Sequence, residues 1–161
     1  MADASLEDRI QRLEDLEAIR QLKARYLRAL DTKAWDELAE TLAEDARTEY
    51  SDGQYRFEGR DEILRFLMAT PLAQPDGLVG VHHCMQPEIE ITAPGRARGT
   101  WALYNYLIHK SAEQGLRICA FYHDEYVKIG GAWKIQSTGY RRVFEETWSR
   151  RDTPSLRLTA G

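Results

Sequence analysis

Only two cysteines occur in the chain, Cys84 and Cys119. Both lie in apolar, strand-like stretches, where a free thiol behaves as a small hydrophobe. Two lone cysteines are no disulfide framework, although one bond between them stays open at this level, and they lack the paired spacing of a zinc site. No apolar run approaches the roughly 20 residues that span a bilayer. Met1 to Asp8 is polar and acidic, the opposite of a signal peptide, so a cytoplasmic protein with no membrane partner is predicted. Basic charge is not in excess, with 22 Lys and Arg against 26 Asp and Glu and a net charge of −4. The basic cluster of Arg141, Arg142, Arg150 and Arg151 is interleaved with Glu145 and Glu146, which argues against a nucleic-acid partner. A Gly-rich phosphate loop is also missing, since Gly130-Gly131 reads as a hairpin turn with no helix behind it. With neither a nucleophile elbow nor a metal-ligand cluster, any chemistry here is expected to use no cofactor and no metal.

What the chain has is apolar patterning. Its 161 residues, 43% hydrophobic, suit one domain over residues 1–150 with a tail at 151–161, long enough to bury a core. Leu6, Ile10, Leu13, Leu16, Ile19, Leu22, Tyr26 and Leu30 recur at steps of three and four, which predicts a first helix with one apolar stripe. Asp8, Arg9, Arg12, Glu14, Asp15, Arg20, Lys23 and Arg25 are assigned to its other faces. The helix should stop near Asp31-Thr32, either of which can cap a second helix through Trp35, Leu38, Ala39 and Leu42. Stretches 46–50 and 54–58 flank the turn signal Ser51-Asp52-Gly53 and read as a hairpin. A third helix opens at Arg60-Asp61 and ends before Pro71, and a loop follows to Gly80. Four strands at 79–92, 97–108, 116–128 and 132–144, joined by short turns, predict an antiparallel meander. Helices followed by a curved antiparallel sheet make an α+β cone with a concave, mostly apolar interior.

Several stretches then resemble a known family. Residues 26–35, from Tyr26 through Asp31 to Trp35, are similar to the end of the first helix in SnoaL-like proteins of the nuclear transport factor 2 superfamily. Residues 57–63, with Gly59 before a charged helix start, resemble their entry to the third helix. Val81-His82-His83 running into Pro87 to Ile91 looks like their first long strand, and residues 122–126, 131–135 and 138–142 look like the last two. The likeness runs in order from about Ile10 to Arg150 and is nearest to the scytalone dehydratase, bile-acid 7α-dehydratase and hexachlorocyclohexane dehydrochlorinase group. It implies a cone-shaped, cystatin-like α+β barrel and a lyase or isomerase of dehydratase type, acting on a small apolar, ring-containing substrate. Polyketide cyclases and ketosteroid isomerase share this fold, and so do non-catalytic binders and scaffolds.

In that group an Asp at the end of the first helix orients a His on the first long strand, and that His moves a proton. Asp31 and one of His82 and His83 match those positions. Strict alternation back from Ile89 and Ile91 puts His83 on the apolar face. The family register selects His82, and Pro87, which cannot donate to a ladder, marks a bulge that would reset the alternation. His82 is therefore favoured as the base, with His83 held as a substrate-binding alternative. Asp31 has a second reading as a helix cap. Tyr26 lies on the apolar stripe, either as core or, by resemblance, as the acid or oxyanion donor facing a substrate carbonyl. Asn105 stands where the bile-acid group carries a carboxylate, and can bind substrate but not act as a base. Arg142 resembles a pocket arginine, the alternative being an ion pair with Glu145 or Glu146. Trp35, Trp101, Trp133, Phe121 and Tyr122 are expected to pack the core or line the pocket, with Asp124 and Tyr126 belonging to the sheet. An outer sheet face drawn with Trp101, Tyr104, Tyr106 and Ile118 predicts a homo-oligomer, and the resemblance favours a trimer over a dimer.

Overall fold

A computed structural model describes residues 5–160. Residues 1–4 of the acidic N-terminal stretch and Gly161 of the tail lie outside the described residues. Helix α1 (Leu6–Thr32) opens on a capping box: Ser5 accepts from the Asp8 backbone N–H while the Asp8 carboxylate accepts from that of Ser5. It ends at Lys33, whose left-handed φ of 61° turns the chain. Helix α2 (Trp35–Thr41) runs straight into strand β1 (Leu42–Tyr50). Strand β2 (Tyr55–Glu58), helix α3 (Arg60–Ala69), a 3-10 turn at Pro71–Ala73, and strands β3 (Leu78–Ala93), β4 (Arg96–His109), β5 (Gln114–Ile129) and β6 (Ala132–Ser149) follow. The strands form one unclosed sheet in the order β2-β1-β6-β5-β4-β3. It is the expected α+β cone, with α1 laid across the concave face.

Several sequence expectations change. The meander is antiparallel from β3 to β6, but β1 joins β6 in parallel, Thr48 opposite Thr138. Leu42 begins β1 instead of ending α2. Neither Asp31 nor Thr32 caps α2: the cap position is Ala34, which makes no side-chain cap bond, and the Thr32 hydroxyl bonds back to the Arg28 carbonyl. Trp101 and Ile118 face inward and are buried, whereas Tyr104 and Tyr106 face outward as drawn, and Phe121, expected in the core or the pocket wall, also faces outward and is 45% exposed.

The core gathers Ile19, Leu22, Tyr26 and Leu30 from α1 against Leu38, Leu42, Ile63, Trp133 and Ile135. Each such side chain stabilises the fold by about 1.5–3 kcal/mol when fully buried. The start of the α1 stripe does not reach the sheet, so Leu6, Ile10 and Leu13 stay exposed. Along β3 the register with β4 shifts between Met85 and Glu88, and Gln86 takes a left-handed φ of 51°. That bulge at Gln86-Pro87 lets His82 and Cys84 share the inner face with Ile89 and Ile91 despite their opposite parity. Cys84 faces in while Cys119, opposite Tyr104, faces out, and both thiols are free. No described helix is long and apolar enough to cross a membrane.

Candidate active site

Asp31 sits in the last turn of α1, and its two oxygens divide between two donors on β3. Oδ2 accepts the backbone N–H of His82 at 2.9 Å, and Oδ1 lies 2.5 Å from His82 Nδ1. Strand β3 is an edge of the sheet, so this backbone donor has no strand partner on that side, and the carboxylate supplies one. A carboxylate beside Nδ1 holds the proton there and leaves Nε2 with its lone pair. The side chains are only 8% and 13% exposed, which removes the pair from the bulk-water surface.

His82 borders a cavity of about 190 Å³ whose walls come from α1, β1, β2, α3, β3, β5 and β6. Leu30, Phe66, Leu67 and Leu78 supply apolar wall, and five tyrosines supply phenols: Tyr26, Tyr50, Tyr55, Tyr122 and Tyr140. Tyr26 Oη and Tyr50 Oη are 2.7 Å apart, and Tyr140 Oη is 2.9 Å from Ser51 Oγ. In a phenol pair one hydroxyl donates to the other, which keeps its own proton to give away. Burial, then the neighbouring phenols and Asp124, push Tyr26 and Tyr122 well above their ordinary pKa. These groups are neutral donors. On the other side of His82 a crevice of about 470 Å³ runs between α1 and β3, past Lys23, Leu27, Asp31, Cys84 and Trp101. Burial raises the Cys84 thiol to about 11, so it stays protonated. Two wider grooves of about 790 Å³ lie over the charged outer sheet face and beside Asp15, Lys128 and Trp133; neither contains the His–Asp pair.

The remaining expected site residues divide. Asn105 stands opposite His82 in the β3–β4 register, buried on the inner face, and its Oδ1 has no hydrogen-bond partner among the described residues. Trp101 is buried and donates from Nε1 to Tyr126 Oη at 2.9 Å, behind the cavity wall. His83 is exposed on the outer face against Tyr104. Arg142 does not line the cavity: Asp52 takes its backbone N–H and its Nε, each at 2.7 Å, and Glu145 takes Nη1 at 3.0 Å. Those hydrogen bonds hold the Asp52 carboxyl below its ordinary value.

Sequence reasoning passed over a buried polar cluster behind the tyrosines. Lys23, assigned above to the polar face of α1, is 0% exposed. Its Nζ lies 2.7 Å from Asp124 Oδ2, off the hydrogen-bonding axis, and 3.6 Å from the centroid of the Tyr122 ring. Asp124 also accepts from Thr138 at 2.7 Å and from Tyr126 at 2.8 Å. The signal was spacing, since Ile19, Lys23, Tyr26 and Leu30 follow the i, i+4, i+7, i+11 rhythm of one helix face.

The chain matches a known domain family and several solved structures. The profile of the SnoaL-like domain matches residues 11–139. A protein from Novosphingobium aromaticivorans assigned as a scytalone dehydratase superposes with a TM-score of 0.76 at 21% identity, over 84% of this chain and 88% of that one. Hexachlorocyclohexane dehydrochlorinase type 3 from Novosphingobium barchaimii gives 0.77 at 20% identity, over 86% and 93%. A protein assigned as an aromatic ring hydroxylase, also from N. aromaticivorans, gives 0.73 at 18%, over 91% and 96%. At these identities the likeness is one of fold.

Proposed function

Because the chain belongs to the SnoaL-like domain family, we propose that it is a proton-transfer enzyme of the lyase or isomerase class, with His82 as base and Asp31 as its orienting partner. The observation that carries this reading is the two-point hold of Asp31 on His82 at the wall of a phenol-lined cavity. His82 Nε2 takes a proton from a carbon next to a carbonyl, and the electron pair moves onto the carbonyl oxygen. The Tyr26–Tyr50 pair donates to that oxygen as its charge develops. Collapse of the enolate then expels a leaving group from the neighbouring carbon, a hydroxyl departing as water with the proton from the His82 imidazolium, or the imidazolium returns its proton at another carbon. Asp31 steadies the imidazolium in between without taking its proton. Asn105, across the strand from His82, is the further substrate-binding group. The cavity of about 190 Å³ exceeds the about 150 Å³ that accommodates benzene, so the substrate class is a small, mostly apolar molecule of one or two rings. Dehydratase and dehydrochlorinase relatives of the same fold support the elimination branch.

Proton transfer itself can be followed across a set of candidate substrates. A panel of cyclic ketones, β-hydroxy ketones and enones is incubated with the protein in D2O, and deuterium entry next to the carbonyl is followed by NMR. The wild type should speed exchange or elimination for at least one member, and His82→Ala should slow it by roughly 10²- to 10⁴-fold. Binding of panel members with no exchange would leave a small-molecule binding protein in its place.

A further inference from the structure

The phenols of the cavity are not equivalent. Tyr26 and Tyr50 satisfy one another, and Tyr140 is paired with Ser51. Tyr122 borders the same cavity, is 2% exposed, and its hydroxyl makes no hydrogen bond among the described residues. A phenol this deep in a fold ordinarily finds a partner. Its ring is held on one side by the edge of Tyr140, 5.5 Å away at 76°, and the ammonium of Lys23 lies 3.6 Å from its centroid.

Lys23 is costly where it stands. A buried ammonium whose one carboxylate contact is poorly aligned is harder to desolvate than an apolar side chain of the same volume. A methionine in the α1 stripe would fill the space without that penalty. What an ammonium adds is a positive field through the Tyr122 ring, which draws density from the π system toward the cation and leaves the O–H a stronger donor. Asp124, fixed by Thr138 and Tyr126, keeps the ammonium in that position.

We propose that Tyr122 is a second oxyanion donor of the cavity and that Lys23, seated against its ring, is the positioning residue that orients and strengthens it. This rests on the proton-transfer reading above and adds to it. The enolate oxygen receives one hydrogen bond from the Tyr26–Tyr50 pair and one from Tyr122, and Tyr122 keeps its proton throughout, so no covalent step is involved. The ligand class follows: a planar ring bearing an oxygen that carries negative charge in the bound state, in preference to its neutral isostere.

Nitrophenols of graded acidity imitate such an oxygen, and nitrotoluenes supply the neutral isosteres. Affinities are measured at neutral pH for the wild type, Tyr122→Phe, and the paired variant Lys23→Met with Asp124→Asn. The pair is used because Lys23→Met alone strands a buried carboxylate, whereas in Asp124→Asn the amide oxygen accepts from one of the Thr138 and Tyr126 hydroxyls and the amide N–H₂ donates to the oxygen of the other. Tyr122→Phe should weaken nitrophenolate binding by roughly 10- to 100-fold, the worth of one hydrogen bond to a charged acceptor, and leave nitrotoluene binding in place. The paired variant should weaken the anion by roughly 3- to 30-fold and flatten the dependence of affinity on phenol acidity. Undiminished anion binding in Tyr122→Phe overturns the proposal. Equal loss of anion and isostere in the paired variant reduces Lys23 to core packing and overturns its part. Deuterium exchange by the wild type together with an indifferent Tyr122→Phe sinks this inference alone. Anion binding that follows Tyr122 without any exchange sinks the proton-transfer reading alone, and a wild type that shows neither exchange nor anion binding sinks both.

Discussion

One carboxylate serving two donors makes Asp31 sensitive to a change of a single atom. Asparagine keeps the shape but offers one acceptor oxygen and sets an N–H₂ group against the second donor. Asp31→Asn should therefore slow deuterium exchange by roughly 10²- to 10⁴-fold through loss of the imidazole's orientation and of the charge that steadies imidazolium. It should also lower stability by about 1.5–3 kcal/mol, the range for hydrogen bonds to a charged group, read as a fall in the chemical-denaturation midpoint. Wild-type exchange in this variant would remove Asp31 from the mechanism. At this scale the sequence was legible where spacing and chemistry agreed, as for Asp31, His82 and Tyr26. It misled where residue type was allowed to outvote position. Lys23 sits on the buried stripe at helical spacing and was set aside because lysines are solvated as a rule. For Arg142 the ion pair weighed with Glu145 is present, but Asp52, 90 residues away in the chain, cannot be seen as its second partner before the fold is known.

Among elements, α1 is tied to the sheet at two points. Near its C-terminus Asp31 holds β3; nearer its start Asp15 Oδ1 accepts from Lys128 Nζ at 2.7 Å and Trp133 Nε1 at 2.8 Å on the β5–β6 hairpin. Burial alone would raise the Asp15 carboxyl, but the bonds from Lys128, Trp133 and Gln11 with the Lys128 charge bring it below its ordinary value. A carboxyl depressed by folding adds stability that is complete above its unfolded pKa of about 3.9 and is lost as pH falls through the lower folded value. Asp15→Asn should thus reduce stability near neutrality and flatten the decline on acidification. A variant with the wild-type acid limb would mean that Asp15 contributes nothing to it. The bulge at Gln86-Pro87 was readable because proline cannot donate to a ladder, and it decides which histidine faces in. The β1–β6 pairing was not readable. Parallel neighbours far apart in sequence leave no turn signature, whereas hairpins announce themselves through residues such as Ser51-Asp52-Gly53 and Gly130-Gly131.

For the molecule as a whole, the convex face of the sheet is the unfinished part. Val81, Met85, Phe121 and Phe144 are between 45% and 55% exposed, and register makes them neighbours. Val81 lies opposite Tyr106, and Met85, Ala102 and Phe121 form one row. Cys119 pairs Tyr104 on one side with Phe144 on the other. Strand alternation predicted an apolar outer face but populated it partly with the wrong residues: Trp101 shares the parity of buried Leu103 and Asn105, and Ile118 that of buried Ala120 and Tyr122. The face survives that correction, because Phe121, Met85 and Phe144 take their place. A contiguous apolar patch on an outer sheet surface, with no helical layer over it, is the kind that a partner covers, and self-complementary surfaces close most readily into symmetric assemblies. We propose that copies of this chain cover it, a trimer first and a dimer second. Light scattering at micromolar concentration should then return three times the chain mass. The double substitution Met85→Glu with Phe121→Glu should give a folded monomer, since both side chains point away from the core and two buried like charges would oppose assembly. A wild type that stays monomeric at that concentration would leave the patch for a different partner. A double variant that still assembles would move the interface elsewhere, with the exposed start of α1 at Leu6, Ile10 and Leu13 the next surface to substitute.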